Sequence, residues 1–264
     1  MSELPVVPLG SVADELLLQV TAFADATSAG SVDLGTPVPT CPDWSLRDLA
    51  RHLGRVHRRV AETISRGGDE LVAHHEVADP EPPGARDEVA TWLLAGAAEL
   101  VSAMTDAGPD RRVAGFLGPA PVSWWARRML HETVVHRYDA EATAGTRPWV
   151  GVGPELAADG IAESFSLLET FGARRADLAG SGETIHVHAT DETSCEWLVT
   201  RAASGVSVTH GHVRADVAVR GPAAALFAVL TNRRAPDAPA DDLGAVEVLG
   251  DPAVLRDWLR VSGL

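Results

Sequence analysis

The first two thirds of the chain carry apolar residues at helical spacing. Positions three and four apart are apolar in five successive segments, which lie near residues 11–23, 45–66, 89–104, 124–139 and 154–168. Ser11 with Asp14, and Ser45 with Asp48, have the form of a capping box, so we expect helices to begin there. The proline-rich run at 79–84 predicts a loop. Successive amphipathic helices of this kind predict a helical bundle.

From about Glu183 the apolar period changes from 3.6 to 2. Short alternating runs at 185–188, 197–199, 206–208, 216–219 and 246–248 predict strands, and helices are expected at 222–230 and 252–259. The fold class is therefore α+β, with a helical bundle over residues 1–178 and a small α+β domain over 179–264. We place the boundary between them in the segment 172–182.

The fourth predicted helix carries an unusual polar pair on an apolar stripe. Glu132 and His136 are four residues apart, so they lie about 40° apart on one helix face. Trp125 and Met129 continue the same stripe and indicate that it faces the core. Because an unpaired buried carboxylate costs several kcal/mol, such groups are paired or bind a metal.

The second predicted helix offers a matching imidazole. His52 stands one turn from Leu49 and Val56, at the edge of the buried face, and could point into the same core. We therefore predict that His52, Glu132 and His136 bind one divalent metal, with one coordination position open for a reactant. Asp139 lies one turn beyond His136 and is expected to hold the free N–H of that imidazole. The alternative is a hydrogen-bonded Glu/His pair without metal, with His52 an ordinary core histidine.

Other candidate residues were weighed against this site. The second domain offers a rival metal site, because four histidines could cluster there if their strands pair, namely His186, His188, His210 and His212. We interpret them as surface histidines, because no carboxylate is expected in register with them and 210–212 has the composition of a turn. Cys41 precedes a proline and is interpreted as structural. His57 and His131 belong to the metal helices but lie off the ligand faces, so they are secondary candidates.

Two segments resemble the signatures of a known family. TCPDWSLRDLARHLG at 40–54 and ETVVHRYDAE at 132–141 are similar to the two motifs of the mycothiol-dependent maleylpyruvate isomerase family. The resemblance implies a DinB-like four-helix bundle that holds zinc on two His and one Glu, followed by a domain similar to sterol carriers. It also implies mycothiol as a cofactor.

The same resemblance implies a functional arginine in the C-terminal domain. Arg233 and Arg234 stand at the corresponding place, and Arg233 is taken as a candidate catalytic residue. This chain has Asn232 where relatives often have Gly, and the loop that follows is long and proline-rich. The alternative is a solvated arginine pair that closes a helix C-terminus.

Composition excludes several classes of function. The net charge is −15, which disfavours nucleic-acid binding because phosphate backbones require a basic surface. No apolar run reaches the ~18 residues of a membrane span, and no signal peptide is recognisable, so we expect a cytoplasmic protein. A monomer or a homodimer is expected. All 22 basic residues are arginine. That bias indicates a GC-rich genome, in keeping with the actinobacterial host that the resemblance implies.

These observations predict a zinc- and mycothiol-dependent enzyme. A metal-bound thiol loses its proton near neutral pH and becomes a nucleophile. The expected partner is a small electrophile that carries carboxylates, and the expected reaction is isomerisation or S-transfer. The alternatives are a zinc-hydroxide-dependent hydrolase and a non-catalytic ligand-binding module with a structural metal.

Overall fold

The computed structural model describes residues 9–30, 32–172 and 174–263 and divides into two compact units. The first unit extends to Pro148 and the second begins at Trp149. The predicted α+β class, with helices first and a sheet second, is confirmed. In the described part of the chain, no helix is long and apolar enough to cross a membrane.

The first unit is built from four long helices. They are α1 (Leu9–Ser28), α2 (Leu46–Arg66), α3 (Arg86–Ala107) and α4 (Val122–Thr143). Two short antiparallel pairs connect them: β1 (Pro37–Val38) with β2 (Cys41–Ser45), and β3 (Arg112–Val113) with β4 (Ala120–Pro121). Helix α1 packs on α3 and α4, and α2 packs on α3 and α4, so the apolar faces of all four helices meet in one core.

The predicted start of α2 is confirmed. The Ser45 hydroxyl accepts a hydrogen bond from the Asp48 backbone N–H at 3.2 Å, and the Asp48 carboxylate accepts one from the Ser45 N–H at 3.0 Å. This reciprocal pair is a capping box. The corresponding prediction for α1 was wrong, because Leu9 is already helical and Ser11 therefore lies inside the helix.

Helices α2 and α3 approach each other closely at a glycine. A Cβ placed on Gly54 would overlap the ring of Trp92, which is buried on α3. The guanidinium of Arg58, one turn along α2, lies over the same ring at 4.3 Å from its centroid. Gly54 is thus required for the packing that fixes α2 against the bundle.

Over residues 149–172 and 174–263, the second unit is a five-stranded sheet with three α-helices. Its strands are β5 (Glu183–Ala189), β6 (Glu196–Ala202), β7 (Gly205–His210), β8 (Val217–Gly221) and β9 (Glu247–Gly250), in the order β7-β6-β5-β8-β9. Among the described strands of this sheet, β5 and β8 pair in parallel and the other neighbours pair antiparallel. The helices are α5 (Pro154–Gly172), α6 (Ala223–Leu230) and α7 (Pro252–Ser262).

The division between the units falls earlier than the boundary expected after residue 178. Helix α5 was assigned to the bundle, whereas in the structure it packs on α6 and β7 and lies in the second unit. Trp149, just before α5, stacks on Phe227 of α6 with ring centroids 4.9 Å apart. Apolar periodicity shows that a helix buries one face, but it does not show which partner covers that face.

We predict that Gly54→Ala destabilises the protein by about 1–3 kcal/mol, because the added methyl overpacks the α2–α3 contact. Alanine is intrinsically better than glycine in a helix by about 1 kcal/mol, so any loss must come from packing. Urea unfolding measures the difference. Gly10→Ala, on α1 with nothing within 4 Å of the new Cβ, is the control and should be neutral or stabilising. Equal stabilities of the two variants would contradict the packing argument.

Candidate metal centre

Three donor groups from two helices converge in the first unit. His52 lies on α2, and Glu132 and His136 lie on α4. Glu132 Oε1 is 2.9 Å from His52 Nε2 and 3.5 Å from His136 Nε2. One donor atom from each residue lies within 4.8 Å of the other two. The structure therefore brings together the three residues that the sequence selected.

Glu132 is anionic in this environment. Burial by itself would raise the pKa of its carboxyl group, but hydrogen bonds from His136 and His52 and the charge of Arg128 hold that pKa well below its usual range. Arg128, one turn earlier on α4, pairs with Glu132 Oε2. This ion pair leaves Oε1 as the oxygen that faces the two imidazoles.

Asp139 fixes the orientation of His136. Its Oδ2 lies 2.8 Å from His136 Nδ1, while its Oδ1 accepts a hydrogen bond from the Thr40 hydroxyl at 2.5 Å. The Cys41 thiol is 3.8 Å from Oδ2, an acidic neighbour that sequence reasoning did not anticipate. Burial lowers the pKa of His136, but the hydrogen bonds to Asp139 and Glu132 outweigh this and raise it.

The segment before α2 forms one wall of the centre. Trp44, on β2, lies with its ring centroid 4.9 Å from that of His52 and 6.1 Å from that of His136. The two imidazoles are themselves 4.9 Å apart, nearly perpendicular. The indole therefore limits the directions in which both rings can turn.

The residues fit a divalent metal of the zinc type. Two imidazoles and one carboxylate are a common donor set for zinc, and three protein donors leave a position open. A carboxylate on the second nitrogen of a ligating histidine is also typical, and Asp139 occupies that place. The metal-free alternative shares these contacts, since the same groups hydrogen-bond one another. Metal content distinguishes the two interpretations.

A cationic pocket of ≈ 240 Å³ lies beside His52. Its lining includes Arg51, Arg55 and Arg59, which stand four residues apart along one face of α2. The charge of Arg59 is the main reason why the pKa of His74, also in the lining, is lowered. This pocket was not predicted from the sequence, although the i, i+4, i+8 spacing of the arginines places them on one helix face.

The secondary candidates do not join the centre. His57 is fully buried and its Nε2 lies 3.0 Å from the Thr133 hydroxyl, and burial lowers its pKa to about 3. His131 is buried as well and lies outside the donor cluster. Arg233 and Arg234 follow α6 in the second unit. Arg233 donates to the Thr231 carbonyl at 2.7 Å, and Arg234 is buried and pairs with Asp241 at 3.3 Å.

The interpretation of the second-domain histidines as surface residues was wrong for His186, whereas His210 and His212 are exposed as expected. His186 is only 6% exposed, so it is not a surface residue. A carboxylate is also in register, because Glu196 on β6 stands directly opposite His188 on β5. The turn between β5 and β6 sets which residues of the two strands face each other. The apolar pattern of the strands does not specify this register, so the pairing of His188 with Glu196 could not be predicted.

Comparison with known families accounts for most of the chain. Residues 15–141 match a family model described as the mycothiol maleylpyruvate isomerase N-terminal domain, and residues 155–257 match the C-terminal domain of the same family. The chain belongs to the mycothiol-dependent maleylpyruvate isomerase family. The resemblance noted from the motifs at 40–54 and 132–141 is thereby confirmed.

Solved structures agree on the fold of this family member. It is similar to a crystal structure of the mycothiol-dependent maleylpyruvate isomerase, with 17% identity, coverage of 91% of this chain and 95% of that chain, and a TM-score of 0.61. A histidine-to-alanine mutant of such an isomerase matches with 16% identity, coverage of 92% and 93%, and a TM-score of 0.62. No curated protein shows significant sequence similarity. At these identities the structural likeness shows the fold alone.

We predict that His57 makes this family member acid-sensitive. Its folded pKa of about 3 lies below the unfolded value near 6.5, so between these values only the unfolded chain binds the proton. Stability is then lost as pH falls below about 6.5, at about 1.4 kcal/mol per pH unit. The measurement is urea unfolding of metal-free protein across this range. His57→Gln, which retains a hydrogen-bond donor toward Thr133, should flatten the pH dependence. An unchanged slope would contradict the assignment.

Proposed function

We propose that this protein is a metal- and mycothiol-dependent enzyme that activates a thiol toward a small electrophile carrying carboxylates. The product is an isomer or an S-conjugate. The observation that carries the proposal is the convergence of His52, Glu132 and His136 beside a cationic pocket. Membership of a family named for a mycothiol-dependent isomerase supports the choice of thiol.

His52, Glu132 and His136 would hold zinc or another divalent metal. When bound, that metal would lower the pKa of a coordinated thiol, so that a thiolate is available near neutral pH. Asp139 keeps the Nδ1 proton on His136 and so presents Nε2 as the ligand atom. Arg128 neutralises and orients Glu132 from its other oxygen. In this scheme Asp139 and Arg128 are positioning residues.

The arginine pocket would bind the anionic part of a reactant. Arg51 is committed to Asp48 at 2.6 Å, and Arg59 donates to the Val72 carbonyl at 2.6 Å. Arg55, between them, makes no close hydrogen bond within the described residues and has a distant ion pair with Glu81 at 3.9 Å. We therefore assign Arg55 as the residue that contacts a carboxylate, because the guanidinium groups of the other two are engaged in short hydrogen bonds.

Arg233 is retained as a second candidate for substrate binding, on the strength of the resemblance. Its guanidinium donates to the Thr231 carbonyl of its own loop. Asn232, which adopts a left-handed backbone conformation with φ of 61°, turns the chain between these two residues. The positive φ is consistent with the glycine that relatives often carry at this position.

Two chemical outcomes are compatible with these roles. Reversible addition of the thiol to an activated carbon–carbon double bond permits rotation about the resulting single bond, and elimination then returns the thiol and the cis–trans isomer. A stable adduct, or departure of another group, gives S-transfer instead. Both outcomes need the same metal ligands and the same anion pocket.

We predict that His52→Ala and His136→Ala each remove about one zinc ion per chain from the protein, since each deletes one of three ligands. Metal analysis of the purified variants measures this. His75→Ala is the matched control, because His75 is an exposed histidine of the same unit that lies outside the cluster. Full zinc retention in both ligand variants would contradict the assignment of the site.

The proposed activity is tested with maleylpyruvate as the first substrate. Isomerisation should require mycothiol and should cease after chelation, and the rate should recover with added zinc. Arg55→Gln should raise KM for the carboxylate substrate at least tenfold, because one charge-assisted contact is lost, while kcat changes little. His75→Ala again serves as the control. Ester hydrolysis without any thiol, together with no dependence on mycothiol, would contradict the proposal and favour a zinc-hydroxide hydrolase.

A further inference from the structure

The sheet of the second unit carries a separate cluster of four donor groups. His188 on β5 pairs in register with Glu196 on β6, and His186 lies two residues earlier on the same face of β5. His212 comes from the loop that follows β7. Gly211, at φ of 144°, turns the chain there, and its N–H donates to the Glu196 carbonyl at 3.2 Å. Three chain segments thus supply the cluster.

One carboxylate oxygen is at the centre of the cluster. Glu196 Oε1 lies 2.8 Å from His188 Nδ1 and 3.5 Å from His186 Nε2, and it also contacts His212 Nδ1. One donor atom from each of the four residues lies within 4.8 Å of the others. The three imidazole centroids are 5.2–6.0 Å apart.

One nitrogen of this cluster is buried without a hydrogen bond. His186 is 6% exposed, and among the described residues its Nε2 has no hydrogen-bond partner, although it is aimed at the Glu196 oxygen. Buried polar atoms in proteins are nearly always bonded, and leaving one unsatisfied costs about 1–3 kcal/mol. A metal cation that accepts the lone pair of this nitrogen would remove this cost.

We propose that His186, His188, Glu196 and His212 form a second metal site that binds a divalent cation of the zinc type. Three imidazoles and one carboxylate give four protein donors, enough to fill every position of a tetrahedral zinc ion and leave none open for a reactant. The site in the first unit has only three donors and keeps a position open. The second site therefore has a structural role and stabilises the sheet rather than taking part in thiol chemistry.

The role follows from what the donors connect. An ion held here ties β5 to β6 and fixes the loop after β7, which is an edge strand of the sheet. His210 lies outside the site, because its ring packs on Trp197 with the centroids 3.4 Å apart. His210 is therefore a matched histidine that is close in sequence to His212 but is not a ligand.

The test uses the full chain with His52→Ala, so that binding at the first site is removed. After chelation, this protein is dialysed against Zn²⁺, and we expect about one ion per chain and a rise in the thermal midpoint on the order of 5 °C. Adding His212→Ala or Glu196→Gln should weaken the binding at least tenfold and abolish the shift. His210→Ala should change neither quantity. The His212 side chain is 78% exposed, so its removal does not threaten folding.

The second site would be excluded if the His52→Ala protein bound no zinc, or if His212→Ala and Glu196→Gln bound it as tightly as their parent. These outcomes are independent of the proposed function, which is read from mycothiol-dependent turnover of protein with an intact first site. If turnover does not depend on mycothiol but zinc binding is lost in the His212 and Glu196 variants, the second metal site is supported and only the proposed enzymatic function is contradicted.

Discussion

The structure of the first unit depends on an ionised carboxylate held between two helices. Glu132 is partly buried, with 21% of its side chain exposed, and an unpaired charge in that position would be costly. His52 from α2, and His136 and Arg128 from α4, together satisfy both of its oxygens. Because those contacts need particular faces of α2 and α4 to meet, they constrain the rotation of both helices about their axes. The packing of Gly54 against Trp92 then fixes α2 against α3, and the same arrangement brings the three donor groups together.

A short continuous segment supplies much of what surrounds this carboxylate. Thr40 and Cys41 contact Asp139, Trp44 covers the imidazoles, and Ser45 caps the helix that carries His52. The motif at 40–54 therefore combines the wall of the centre, the start of a helix and one of the three clustered donor groups. Its counterpart at 132–141 contributes the other two donor groups and the carboxylate that orients one of them. The arginines at 51, 55 and 59 add positive charge on the same helix, so the donor cluster lies beside a cationic pocket.

Features that depend on local geometry were predictable from the sequence. The Ser45 capping box and the shared face of Glu132 and His136 follow from helix geometry within a few residues, and the strands of the second unit follow from their alternation. Features that depend on partners distant in sequence were not. The packing of α5 on α6 and β7 and the register of His188 with Glu196 are set by surfaces that periodicity does not describe. The spacing of the arginines on α2 can be seen in the sequence. The pocket that these side chains line also depends on Trp44 and His74, which lie outside α2.

The proposed function requires a thiol to bind directly to a metal held by His52, Glu132 and His136. Co(II) in place of zinc makes this binding visible in the absorption spectrum as mycothiol is added, with His212→Ala present to exclude the second cluster. We expect a sulfur-to-cobalt charge-transfer band that appears with mycothiol, is absent with the S-methylated cofactor and is lost in the His136→Ala protein. No spectral change on addition of mycothiol to the Co(II)-loaded protein would contradict it.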